Sequence, residues 1–303
     1  MAFSYNLPTG WAVQKRRDPH RDPHHDPRNS GRESPRVHEV MPRRAMVTLL
    51  AGTVLSSVFS APALAQAARW PDEYQAGQFL CYADVSLAAY KPLLDTLPTL
   101  EQDVIQLLGL QPSRDWIHVF LFSHKSTYHA YVRRYFPEAP SRKALFIKER
   151  GLGMVFACLG DEFEVDLRHE CTHALLNAAL PVTPLWLDEG LAEYFEVAAA
   201  QRASGNPHQK YVRWSAYFGQ TPRLEDLEQI REVSQMTISR YRQAWAWVHF
   251  MLHGPPEARE ELQRFLADLQ ALTPPGLLSR RLRYRLPDLD ARFADHCRNW
   301  RLP

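Results

Sequence analysis

Cysteine is scarce in this sequence, and the few that occur do not cluster. The four, Cys81, Cys158, Cys171 and Cys297, form no CxxC pair, which argues against a thiolate zinc site and against a dense disulfide framework. Net charge is also slight. Thirty-six Lys and Arg against 34 Asp and Glu leave +2, which gives no reason to expect a nucleic acid partner. A membrane-length apolar run is missing where one would be looked for: Ala45 to Phe59 is apolar but broken by Thr and Ser, and too short for a standard span. The remainder is ordinary globular composition, 45% hydrophobic and 23% charged over 303 residues, enough for one large domain or two small ones.

The first 65 residues differ from the rest. Residues 1–40 repeat Asp-Pro-His/Arg units rich in proline and charge. They bury no core, and read as a disordered extension or as sequence lying before a true start at Met41. From Met41 a basic Pro42-Arg-Arg leads into the apolar stretch, and Ala63-Leu-Ala fits a small-x-small cleavage site before Gln66. Residues 41–65 thus read as a secretory signal peptide, and residues 66–303 as a periplasmic or secreted domain. No stable membrane span remains once the signal is removed, and no cysteine follows the cleavage site to carry a lipid. In an exported chain one or two disulfides would be open to the four cysteines.

Within 66–303 the hydrophobic pattern predicts strands at Gln78–Ala83, Trp116–Phe122, Ala144–Lys148 and Gly153–Cys158. It predicts helix from Ser86 to about Leu108, split at Pro92 and Pro98, and from Ser123 toward Pro137. Tyr241–Leu252 and Leu286–Trp300 read as further helices, and Arg280, Arg281, Arg283 and Arg285 as a solvated basic face. The fold class is α+β: a small mixed sheet with one helix central to function, followed by a mostly helical C-terminal lobe from about 205.

That central helix carries His169-Glu-Cys-Thr-His173. Positions i and i+4 share a helix face, so His169 and His173 can present two imidazole nitrogens to one ion. Glu170 stands about 100° round the helix, beside the remaining coordination position. Apolar residues at Val165, Leu167, Ala174, Leu175 and Ala178 place the motif within a helix, with Asp161 as its N-cap and Pro181 as its stop. Cys171 points away from the ion and is a core residue. After a spacer of 15 residues come Glu189 and Glu193, four apart on a second helix from Asp188 to about Ala200. One can bind the ion while the other hydrogen-bonds the far nitrogen of a ligand histidine. Gly190 allows close backbone approach.

His-Glu-x-x-His followed by Trp186-Leu-Asp-Glu-Gly-Leu-Ala-Glu-Tyr194 resembles the gluzincin metallopeptidases, in particular the peptidase-MA-like bacterial proteins, and more distantly the aminopeptidase N-like enzymes. The resemblance implies a zincin-like fold and Zn²⁺ held by His169, His173 and Glu189. It implies Glu170 as general base toward a zinc-bound water, and a peptide or protein substrate lying along the free edge of a strand near the motif helix. Glu193 is then left to support a ligand histidine. The segment from Tyr241 is similar to a helix whose leading tyrosine donates to the transition-state oxyanion. An exported zinc peptidase is the first expectation. A catalytically weak, zinc-stabilised binding or scaffold protein of the cell envelope is the second, and a hydrolase of non-peptide amides the third.

Overall fold

A computed structural model describes residues 4–6 and 70–299. The expected signal peptide at 41–65, its expected cleavage site at Ala65 and most of the 1–40 extension lie outside the described residues. The fold is mixed α+β. Five strands form one sheet in the order β5-β6-β4-β3-β2: β2 (Asp72–Ala76), β3 (Phe79–Ala83), β4 (Ile117–Phe122), β5 (Ala144–Glu149) and β6 (Leu152–Cys158). A short strand β1 (Ser4–Asn6) runs parallel to β5 along its outer side. β3, β4 and β6 are mutually parallel, while β2–β3 and β5–β6 are antiparallel hairpins. The β5–β6 hairpin turns on Arg150 (φ 51°) and Gly151 (φ 86°), the paired positive dihedrals that match a two-residue turn to strand twist.

Alternation of side chains divides the sheet residues between two cores. Phe79, Cys81, Val119, Leu121, Phe146 and Val155 face helices α2 (Leu97–Leu108) and α4 (Phe163–Ala179). Phe120, Phe122, Leu145, Ile147, Met154 and Phe156 face α3 (Lys125–Tyr135) through Tyr128 and Val132. Both faces being covered explains why β4 and β6 read as continuous apolar runs rather than as alternating ones. The predicted long helix is split, as its prolines require. α1 (Lys91–Leu94) and α2 each begin with a proline in the first turn, where the missing N–H costs nothing.

After Cys158 every regular element among the described residues is helical. α4 ends at Ala179 because Leu180, which precedes Pro181, is extended (φ −120°, ψ 132°). A second proline, Pro184, caps α5 (Leu185–Phe195). The predicted helix from Asp188 therefore starts three residues earlier than expected and stops at Phe195, and the N-terminal cap of α4 is Glu162 rather than Asp161. α6 (Ala199–Arg202), α7 (His208–Tyr217), α8 (Leu224–Glu228), α9 (Ile238–His253), α10 (Pro256–Gln270), α11 (Leu278–Arg285) and α12 (Leu289–Arg298) complete the fold. Position 205 falls between α6 and α7, but α9 lies directly along α5, so the helical part is continuous with the centre of the molecule. Of the arginines of α11, Arg280 is exposed as expected, but the other three are not a solvated face. Arg281 pairs with Glu261 and Asp268, Arg283 with Glu225 and Asp290, and Arg285 with Glu260. All four cysteines are buried and free.

The α5–α9 contact is closest at Gly190. A Cβ there would lie 2.8 Å from the Ala244 carbonyl oxygen and 3.0 Å from Val248 Cγ2, inside van der Waals contact with backbone that has little room to move. Gly190→Ala should therefore force α9 away from α5 and lower stability by about 1–3 kcal/mol, measured by urea denaturation. An unchanged midpoint would show that the two helices are not packed this closely.

Candidate metal centre

α4 is buried on nearly every side, so its polar residues are interior groups. His169, Glu170 and His173 on α4 and Glu189 on α5 expose 3% or less. His169 Nε2 and His173 Nε2 are 3.1 Å apart, and Glu189 Oε2 lies 3.7 and 3.6 Å from them. These three side chains form a buried donor set able to hold one metal ion.

The outer nitrogens decide what the inner ones present. His169 Nδ1 donates to Glu196 Oε2 at 2.9 Å, and His173 Nδ1 lies 2.9 Å from Asp188 Oδ2. His169 Nδ1 carries the proton toward Glu196, while His173 Nδ1, though close to Asp188, makes no well-aligned hydrogen bond. Two ring nitrogens and a carboxylate face one another at 3.1–3.7 Å in a low-dielectric interior, an arrangement that is repulsive unless a proton or a metal ion lies among them. The histidines show the same demand. Burial disfavours their charged forms, yet Glu189 and Glu196 outweigh it and lift His169 to about 10. Burial likewise opposes charge on His173, and Asp188 and Glu189 raise it well above its usual value.

Two further buried groups complete the site. Both carboxylate oxygens of Glu170 lack a hydrogen-bond partner among the described residues, and burial pushes this carboxyl up to about 7 against the pull of His173 and His169. Tyr241, in the first turn of α9, has a buried hydroxyl also without a partner. Burial first, then Glu189, raises it far above the ordinary tyrosine range, so it remains a donor.

Glu193 lies beside His169, with donor atoms of His169, Glu193 and Glu196 within 4.8 Å of one another, but its hydrogen bond goes elsewhere. Its Oε2 accepts from His208 Nε2 at 2.6 Å, and its backbone carbonyl accepts from Asn206. Asp188 and Glu196 support the two imidazoles instead. Both were readable in principle: Asp188 adjoins Glu189, and residues 189, 193 and 196 follow the i, i+4, i+7 stripe of one helix face. His208, fifteen residues beyond Glu193, carried no local signal.

Residues 165–275, just over a third of the chain, match the sequence model of a family described as "Protein of unknown function (DUF1570)". The chain is similar to that family across α4, α5 and α9, and so across every residue of the centre. No curated protein sequence matches the chain.

A second buried histidine group is paired differently. His249 Nε2 donates to the Ala203 carbonyl at 3.1 Å, so its Nδ1 accepts from His296 Nε2 at 3.0 Å. Tyr194 Oη and His253 Nε2 are 2.9 Å apart, and His253 stacks on His249. Donors here meet acceptors in sequence, and no lone pairs converge. Burial lowers His249 to about 2 and His296 to about 4.

Two outcomes are expected. Asp188→Asn and Glu196→Gln should each weaken zinc or cobalt binding about 10–100-fold while the fold persists; titration calorimetry showing unchanged affinity would remove their supporting role. Because His249 stays neutral when folded while the unfolded chain protonates below its usual 6.5, stability should be complete above that pH and fall as pH drops below it, by about 2 kcal/mol at pH 5. His249→Gln, which cannot titrate, should lose that much less between pH 7 and pH 5 in urea denaturation.

Proposed function

We propose that this chain is a zinc-dependent peptidase, hydrolysing peptide bonds with His169, His173 and Glu189 as metal ligands. The observation that carries this reading is Glu170: a fully buried carboxylate with no hydrogen-bond partner among the described residues, beside three donors that call for a cation. A metal that only braced the fold would leave such a carboxylate costly and idle. Donors around tetrahedral zinc at about 2.0–2.2 Å stand about 3.3–3.6 Å apart, close to the separations of the three side chains here. Two imidazoles and a carboxylate also suit zinc better than magnesium or calcium, which favour all-oxygen sites.

When bound, zinc polarises a carbonyl and brings the pKa of a water molecule near neutrality. The remaining work belongs to the chain. Glu170, held near 7, takes the proton of the attacking water and delivers it to the departing amine. Tyr241 donates its hydroxyl proton in a hydrogen bond to the carbonyl oxygen as that atom gains charge. Asp188 and Glu196 fix the imidazole tautomers. β5 is the outer strand of the five-stranded sheet, and in this structure its edge pairs with the extended segment Ser4–Asn6. An edge that accepts one backbone accepts another irrespective of side chains, which fits a peptide substrate. The leader read from the sequence at 41–65 supports an activity in the periplasm or outside the cell.

Glu170→Gln should bind one zinc per chain as the native protein does and lose hydrolysis of a peptide library by about 10²–10⁴-fold; near-native turnover would remove Glu170 as base. His169→Ala should lose the zinc, measured by metal analysis of protein purified without a histidine tag. Full zinc content without turnover on any peptide would favour the scaffold reading instead.

A further inference from the structure

The face of α7 that turns away from the core is aromatic and basic. Val212 and Ala216 anchor the helix inward, while Trp214, Tyr217 and Phe218 are 61–67% exposed and Tyr211 40%. Four exposed aromatic rings within eight residues form a continuous patch, larger than the scattered apolar residues of an ordinary surface. The patch is also ordered. Trp214 and Phe218 lie one turn apart with ring centroids at 4.8 Å, and the guanidinium of Arg242 sits 4.2 Å over the Tyr211 ring. Lys210 and Arg213 are exposed between these rings. From Val197 to Leu224 the chain has no Asp or Glu; of its four cations Arg202 is buried against Asp103 and Arg223 lies 3.7 Å from Glu225, which leaves Lys210 and Arg213 as the exposed charges of this face.

We propose that this face of α7 docks on an anionic lipid surface. The chemistry selects the occupant. Trp and Tyr have apolar bodies with polar edges, and Lys and Arg have apolar stems with charged heads, so both belong where hydrocarbon meets water. Exposed Lys210 and Arg213 are drawn to anionic headgroups, and aromatic rings on the same helix face supply the shallow apolar insertion that holds them there. No helix among the described residues is long and apolar enough to cross a membrane, so this contact would be peripheral. It also reaches the metal centre: His208, the first residue of α7, is the donor to Glu193 on α5. Docking would set the centre beside the lipid surface, whatever reaction it performs.

The test is flotation of the full chain with vesicles of phosphatidylcholine alone and of phosphatidylcholine containing one-third phosphatidylglycerol. The chain should bind the anionic vesicles and largely ignore the neutral ones, with binding weakened by high salt. Trp214→Ser combined with Phe218→Ser, and separately Lys210→Glu combined with Arg213→Glu, should each reduce binding by about tenfold or more. All four positions are exposed, so the circular dichroism spectrum should be unchanged. Absence of binding to anionic vesicles would overturn the proposal, as would double variants that bind like the native chain. So would a monomer–dimer equilibrium abolished by the aromatic variant in a chain that ignores vesicles, because the face would then be a self-interface.

Discussion

Three electron-rich atoms facing one another inside a protein are the constraint around which this structure is arranged. His169 Nε2, His173 Nε2 and Glu189 Oε2 are held together by two helices and by the carboxylates behind the imidazoles. The arrangement calls for positive charge at its centre, which protonated imidazoles or a metal ion can supply. The protein invests its interior in it: α4 and α5 place six ionisable side chains, His169, Glu170, His173, Asp188, Glu189 and Glu193, in buried positions. Buried charge without compensation destabilises a fold by several kcal/mol per group. Binding of a metal ion to this donor set would therefore be thermodynamically linked to folding, as in other sites whose ligands come from separate elements.

Packing serves the same constraint. The sheet gives α4 a flat apolar floor, and α9 closes the other side of α5 at Gly190, next to Glu189 in sequence. A side chain at Gly190 would separate the helix carrying the carboxylate from the helix carrying Tyr241. The glycine thus sets the distance between two groups of the centre, although it has no chemistry of its own.

Much of this was legible in the sequence, because the signals were local. Strand positions followed from short apolar runs, the split before α2 from Pro92 and Pro98, and the donor triad from His169, His173 and the Glu189-Gly190 pair. Three features escaped for physical reasons. The carboxylates behind the imidazoles depend on tertiary partners: Glu193 shares a helix face with Glu189 but is bonded to His208, fifteen residues on, which leaves Glu196 and Asp188 against the outer ring nitrogens. The arginines of α11 look like a basic face in sequence, but their acids come from α8, α10 and α12. Strand β2, with exposed and charged positions at the sheet edge, carries too weak an apolar alternation to stand out before Gly77.

The connection between α4 and α5 has one more consequence. Only Leu180 to Pro184 separate the two helices, with prolines at 181 and 184, so the pair has almost no slack. A fluctuation that draws His173 from its place must drag the following helix with it, since five stiff residues cannot absorb the displacement. The ligands then cannot be released one at a time. For a bound metal ion, escape and exposure of the amide protons of α4 and α5 to solvent would become a single cooperative opening, a unit of unfolding smaller than the whole molecule. A chelator in solution would wait for that opening rather than compete for the ion directly, and its rate of extraction would cease to depend on its concentration.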